Sequence, residues 1–281
     1  MAHNCMIKNG NSKICWRINR QCNLNCKHCL SGNRTRNYNE MTTEEIIEVL
    51  NILKQNGVKE ISFTGGEPLL KNDIALILKH AFSTGFELIL TTNGLLVDEK
   101  WIKFIKQYIS KLKISLDGLK EQHNYLRKAD VFDKTIALIS DSIKNRINLE
   151  INCTLTKINT DTIFEYLELL KTLNVKNVSF LRFLPRENGA ENKYLDINDA
   201  DFSCLIQKIE KYNFSDKYFK IKISDYGTTQ CKRLMLESDG TLLFPGKKES
   251  EDVLVGNILS LGHRFGEFLA KQNELHRISV Q

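Results

Sequence analysis

Proline is scarce, at 3 in 281 residues, and no apolar run approaches the roughly 18 residues of a membrane span. With only 15 glycines as well, collagen-like and low-complexity classes are excluded. Charge of one sign is also lacking. Lys and Arg total 40 against 34 Asp and Glu, a net +6, and the basic residues are dispersed rather than blocked. A strong nucleic-acid signal is therefore absent, since such modules concentrate basic residues on one face. No basic-then-apolar leader opens the chain, and a cytoplasmic setting with no membrane association is expected. The remainder, 42% hydrophobic and 26% charged, suits a globular protein of two domains or of one α/β barrel.

Cysteine is not scarce. Eight occur: Cys5, Cys15, Cys22, Cys26, Cys29, Cys153, Cys204 and Cys231. In a chain of this length without a secretory signal, metal binding or catalysis is a better reading than a disulfide scaffold. Cys153 and Cys204 read as core filler on a strand and a helix; Cys5 and Cys15 carry no assignment.

From residue 13 to 185 strand-like and helical patterns alternate. Residues 42–56 place Ile46, Val49, Leu50 and Leu53 on one helical face, with Thr42 and Glu45 as a capping box and Gly57 as the stop. Further helices are expected near 72–83, 98–110, 133–145 and 161–174, and strands at 13–19, 61–64, 86–92, 112–116, 148–156 and 177–184. This alternation implies right-handed βαβ units and a parallel sheet. Six strands are too few for a closed eightfold barrel, so an open barrel and a doubly wound sheet both fit. Residues 186–281 read as a smaller α+β extension, with a helix near 199–212 and short strands around 218–224, 232–237 and 241–244.

Parallel α/β folds bind ligands at the carboxyl ends of their strands, and the polar signals collect there. Cys22-Asn-Leu-Asn-Cys26-Lys-His28-Cys29 follows the first strand, Thr64-Gly65-Gly66-Glu67-Pro68 the second and Thr91-Thr92-Asn93-Gly94 the third. Ser115 and Asp117-Gly118 close the fourth. Asn152, Thr154 and Thr156 lie on the fifth, and Arg182-Phe183-Leu184-Pro185 ends the sixth. Turn residues alone would scatter over both ends of the sheet. Three thiolates on one short loop suit an iron–sulfur cluster, a structural zinc or, for Cys26 and Cys29, a redox dithiol. Zinc needs a fourth ligand, and His28 is wedged between two cysteines; the dithiol leaves Cys22 unexplained. The cluster is favoured.

CNLNCKHC, followed in order by FTGGEPLL, TTNG and ISLDG, resembles the radical S-adenosylmethionine (radical SAM) superfamily over residues 13–185. The resemblance implies a partial (β/α)6 TIM-like barrel with a small α+β C-terminal extension, preceded by residues 1–12. It implies one [4Fe-4S] cluster held by Cys22, Cys26 and Cys29, with S-adenosylmethionine (SAM) on the fourth iron. It also implies reductive cleavage of SAM to a 5′-deoxyadenosyl radical and a flavodoxin- or ferredoxin-type electron donor. By position, His28 matches an adenine contact made through the main chain. Gly65 and Gly66 let strand-edge groups meet the methionine ammonium, and Glu67 and Pro68 fix their turn. Asn93 and Ser115 match positions near methionine and ribose, and Thr154 and Leu184 match contacts from the barrel ends. Asp117 reads as organising its loop. Arg127 reads as a partner of the SAM carboxylate, the alternative being an exposed loop arginine.

The tail from Cys231 through SDGTLLFPG to VGNI resembles a Twitch or SPASM region, but Gly246 follows Pro245 and no cysteine occurs after Cys231. A full auxiliary cluster cannot be built from it. FLRFLPRENG is similar to the molybdenum-cofactor cyclase branch; the C-terminal cysteine triplet and terminal diglycine of that branch are missing, so the assignment is discounted. Cys231 is the candidate hydrogen-atom donor to a product radical. The first functional expectation is an enzyme acting on a small metabolite (a sugar, nucleoside or amino-acid derivative), with Arg17, Arg20, Arg182 and Arg186 available to an anionic group. The second is maturation of a ribosomally made peptide, disfavoured by the incomplete tail and by the short segment before the first strand. The third is a zinc-stabilised binding protein.

Overall fold

The computed structural model describes residues 12–31, 39–225, 234–246, 248–262 and 264–267. Seven strands run parallel in chain order: β1 (Ser12–Arg17), β2 (Val58–Thr64), β3 (Glu87–Thr92), β4 (Lys111–Ser115), β5 (Leu149–Leu155), β6 (Asn177–Arg182) and β7 (Lys220–Ser224). The connections carry α1 (Thr43–Gln55), α2 (Ile74–Ser83), α3 (Glu99–Tyr108), α4 (Lys120–Arg127), α5 (Phe132–Lys144), α6 (Ile163–Thr172) and α7 (Asp199–Asp216). Then come β8 (Met235–Leu236), β9 (Thr241–Phe244), β10 (Val253–Asn257) and α8 (Ile258–Leu261). The strands form one open sheet in the order β10-β9-β8-β1-β2-β3-β4-β5-β6-β7. This is the partial α/β barrel expected, with one more parallel strand than the six read from the sequence.

The seventh is β7, the short strand expected at 218–224 in the tail, which joins the barrel sheet beside β6 instead. Its sequence KIKIS alternates, and Ile221 and Ile223 pack on the main core. The tail therefore adds to both edges of the barrel sheet: β7 pairs with β6, whereas β8 pairs parallel with β1 and begins an antiparallel β8-β9-β10 meander. No described helix is long and apolar enough to cross a membrane.

Local signals behave as the sequence suggests in α1. Thr42 and Glu45 form the reciprocal capping box, and Ile46, Val49, Leu50 and Leu53 are buried. Helix α4 was not expected, because its buried face is His123, Leu126 and Arg127 rather than an apolar stripe. Alternation along the strands has a specific meaning here. Side chains of a strand point to opposite faces, and the outward set, including Trp16, Phe63, Leu90, Ile114, Ile151 and Phe180, forms the core beneath the helices. The inward set, including Cys15, Ser62, Lys113, Ser115, Asn152 and Thr154, is polar and half-buried. Parallel strands buried on both faces would read as continuous apolar runs. A polar inner face marks an open, water-accessible barrel.

Candidate active site

The loop after β1 carries the three cysteines and is fastened at several points. Lys27 N–H donates to Leu126 O at 2.8 Å, which ties the loop to α4. Arg17 and Arg20 donate to Leu30 O and Ser31 O at 3.1 and 3.0 Å, closing its far end. Both guanidinium groups are anchored in turn by Glu237 next to β8, at 2.9 and 2.7 Å. Each cysteine sulfur meets a donor. Leu24 N–H and Ser31 N–H lie 3.4 and 3.3 Å from Cys22 Sγ and Cys29 Sγ, and Arg127 Nη1 lies 3.7 Å from Cys26 Sγ. Burial pushes the Cys26 thiol up to about 11, against the pull of Arg127. Ligation needs the thiolate, so filling this site releases a proton from Cys26.

The second anchor is the Gly65-Gly66-Glu67 turn after β2. A Cβ on Gly66 would sit 2.1 Å from Gln21 O, and one on Gly65 2.3 Å from Asn19 Oδ1. The glycines are demanded by the chain's own backbone, because the turn packs directly on the start of the cysteine loop. Gly66 N–H and Glu67 N–H donate to Asn19 O and Gln21 O, and Asn19 Nδ2 returns a bond to Glu67 O. The Glu67 carboxylate is fully buried and accepts from Thr92 Oγ1 at 2.7 Å, Asn93 N–H at 2.8 Å and Leu69 N–H at 3.2 Å. Those bonds commit both oxygens to the protein: Glu67 clamps the ends of β2 and β3, with Pro68 opening the short 3-10 turn that follows. Asn93 Nδ2 continues to Asn23 Oδ1 at 2.7 Å, so β3 also holds the cysteine loop.

The third anchor follows β4. Asp117 is fully buried, and its Oδ2 takes Arg127 Nε at 2.7 Å and Arg127 Nη2 at 2.6 Å. Asp117 Oδ1 accepts Thr154 N–H at 2.9 Å, and His28 Nε2 lies 3.3 Å from Oδ2. Burial alone would raise this carboxyl, but Arg127, with His28 beside it, outweighs burial and holds it far below the usual range. His123 Nδ1 accepts the Asp117 N–H at 3.1 Å; burial and Arg127 bring its pKa down to about 3, which keeps it neutral. Arg127 is thus not an exposed loop arginine. It is buried, paired and aimed at Cys26.

The expected residues otherwise fall as follows. Ser115 and Thr154 lie half-buried on inward positions, and Leu184 is buried just past β6. The four arginines offered to an anionic group are spent internally: besides Arg17 and Arg20, Arg182 pairs with Asp199 at 2.6 Å and Arg186 with Asp252 at 2.6 Å. Cys153 is in the core as expected, but Cys204 is exposed on α7, whose buried positions are Phe202, Leu205 and Ile209. Cys231 lies outside the described residues, as does Cys5. Asn19, Asn159 and Glu237 passed unnoticed in the sequence. Asn159 Nδ2 bonds the carbonyls of Asp117 and Thr154 at 2.9 and 2.8 Å, and only its Asn-in-a-turn character hinted at this.

Residues 16–193, well over half of the chain, match the radical SAM superfamily. The chain belongs to that superfamily. It is 28% identical over 249 residues to the GTP 3′,8-cyclase of Helicobacter pylori, a match covering 80% of this chain and 77% of the relative. Among solved structures it is similar to native anSMEcpe with bound AdoMet and Cp18Cys peptide, with a TM-score of 0.72 and 21% identity over 90% of this chain and 78% of that one. It is also similar to Streptococcus suis SuiB bound to precursor peptide SuiA, with a TM-score of 0.69, 18% identity and 83% of this chain covered; it spans 58% of the SuiB chain. As a radical SAM protein it is an enzyme, and its cofactors are a [4Fe-4S] cluster and SAM.

The donor set fits such a cluster. Three thiols share one loop, each with an N–H or cationic donor positioned to favour the thiolate. Among the described residues no three His, Cys, Asp or Glu side chains converge as ligands of a single ion would. Buried His28 Nδ1 finds no partner among the described residues.

Proposed function

We propose that Cys22, Cys26 and Cys29 hold the cluster, that Asn93, Ser115, Arg127 and Thr154 face the SAM site, and that the enzyme abstracts hydrogen from a small biosynthetic metabolite. When bound, the cluster supplies the electron that splits SAM into methionine and the hydrogen-abstracting 5′-deoxyadenosyl radical. The chain's own residues do the holding. Glu67 and the Asp117–Arg127 pair fix the strand ends, the two glycines seat the cysteine loop, and Arg127 offers Cys26 a cation. His28 and Leu184 close the sides of the same space. The observation that carries this reading is that all three sulfurs meet donors at the carboxyl ends of the parallel strands.

In this reading residues 13–185 form the catalytic barrel, 186–281 a degenerate Twitch/SPASM-like region without its own cluster, and a cytoplasmic flavodoxin or ferredoxin delivers electrons. Peptide substrates have less support, because the two peptide-bound neighbours share the fold at low identity. The cyclase reaction is not adopted, because 28% identity to the relative of that name does not carry its substrate to this chain. The test is anaerobic reconstitution with iron and sulfide, then dithionite and SAM, with 5′-deoxyadenosine read by chromatography. Brown protein that yields it, and a colourless, inactive triple alanine variant at the three cysteines, are expected. One bound zinc, or no cleavage of SAM, refutes the proposal. Cys231→Ala with full turnover would remove the hydrogen-donor role.

A further inference from the structure

Reducing a buried iron–sulfur cluster adds a negative charge where water cannot solvate it, so nearby protein charge helps set how easily the electron enters. The three sulfurs here are not equally placed for that. Cys22 and Cys29 are half-buried and take main-chain N–H groups, and Asn93 Nδ2 adds a neutral contact to Cys22 at 3.9 Å. Cys26 is buried, with 7% of its surface exposed, and it takes a charged side chain. Arg127 Nη1 lies 3.7 Å from its sulfur.

The cation on Cys26 is itself held by a carboxylate. Asp117 Oδ2 receives Arg127 Nε and Nη2 at 2.7 and 2.6 Å, and this side-on pairing frees Nη1 for the sulfur. Burial opposes the charge on Arg127, yet Asp117 and Cys26 together hold its pKa above the ordinary value, so it stays cationic. At Cys26 burial is the largest influence and Arg127 the next, while Asp117 acts in the sense opposite to Arg127. Two charges of opposite sign therefore bear on one buried sulfur. The loop's other sulfurs have no such pairing in contact with them among the described residues. Arg17 acts on Cys29 through space, with its nitrogens donating to Glu237 and Leu30 O.

We propose that Arg127 and Asp117 set the reduction potential of the cluster through Cys26, the arginine raising it and the aspartate lowering it. This rests on the cluster assignment proposed above and gives a redox role to two residues that also fasten the strand ends. The reduced state carries the extra electron, so a cation and an N–H beside the ligand sulfur favour it, and a carboxylate disfavours it. Arg127 offsets the desolvation that burial imposes on the added charge. Asp117 limits that offset.

The opposed signs provide the test. Anaerobic potentiometric titration of the reconstituted protein, followed by electron paramagnetic resonance, reads the midpoint potential. SAM is left out, so that a contact of Arg127 with its carboxylate does not enter. Arg127→Met is expected to lower the ratio of reduced to oxidised cluster at a fixed potential about tenfold, a fall of about 59 mV for one electron. Asp117→Asn is expected to raise that ratio severalfold, and the double variant should fall between the two. Arg127→Lys keeps the charge without the fork and should lie between wild type and Arg127→Met; it carries the test if the methionine variant takes up no cluster. Lys79→Met, on the outer helix α2, should match wild type. A bracing role alone would loosen the site in both single variants and shift them the same way. Shifts of one sign, or a ratio in Arg127→Met unchanged from wild type, overturns the proposal. Formation of 5′-deoxyadenosine is read separately in the wild type. Its absence with the opposed shifts intact would reject the proposed reaction and leave the tuning pair standing, whereas zinc in place of the cluster would overturn both.

Discussion

Asp117→Asn changes one atom and one charge at the centre of the site. In the native protein Asp117 Oδ2 receives both Arg127 Nε and Arg127 Nη2, and each residue is less than a tenth exposed. The asparagine keeps an acceptor for Thr154 N–H but leaves the Arg127 guanidinium buried without an anion. Breaking one side of a buried pair costs about 3–5 kcal/mol. At roughly 2 °C per kcal/mol for a chain of this size, the melting temperature should fall by about 6–10 °C. Calorimetry of the cofactor-free protein at neutral pH reads this directly. Arg127→Met in the same protein removes the stranded cation, so the double variant should melt well above the level expected from adding the two single losses. A single variant within about 2 °C of wild type, or a strictly additive double variant, would refute the claim that this pair organises the strand ends.

Glu150 should give acid-dependent stability. Its carboxyl lies at about 2 in the folded protein against an ordinary 4.5, so its contribution is complete above about pH 4.5 and is lost as pH falls towards 2. Urea unfolding across that window should show wild type exceeding Glu150→Gln by at most about 3 kcal/mol at pH 6, with the gap closing by pH 2; a gap independent of pH would contradict it. Gly66→Ala places a methyl group 2.1 Å from Gln21 O, where only backbone movement can relieve it. Iron bound per chain after reconstitution should fall severalfold, and an alanine variant with wild-type iron content would show that the turn does not seat the cysteine loop.

The legible parts of the site were those written in contiguous residues. Three cysteines at short spacing, Gly65-Gly66-Glu67 after an apolar run and the Thr42 capping box each carry their chemistry within a few positions, and the parallel strands announced themselves by alternating with helices. Cys204 was misjudged because one position on a helix does not say which side packs, and α7 turns it to solvent. Helix α4 was overlooked because its buried side is a histidine and an arginine, whose burial depends on Asp117 receiving them. The four arginines looked available because nothing near them in the chain reveals their acidic partners.

Strand and helix periodicity were sufficient for a parallel α/β fold, because those signals arise from backbone geometry over short stretches, while the partial barrel and the radical SAM family came from the resemblance of the ordered motifs CNLNCKHC, FTGGEPLL, TTNG and ISLDG. Folding alone decided that β7 closes further around the barrel, that Glu237 anchors Arg17 and Arg20 from more than 200 residues away, and that Lys111, Lys113 and Lys222 meet at Glu150. Charge pairing across a sheet depends on register and twist, which bring distant residues within a few ångströms. No local pattern encodes which lysine will face which carboxylate.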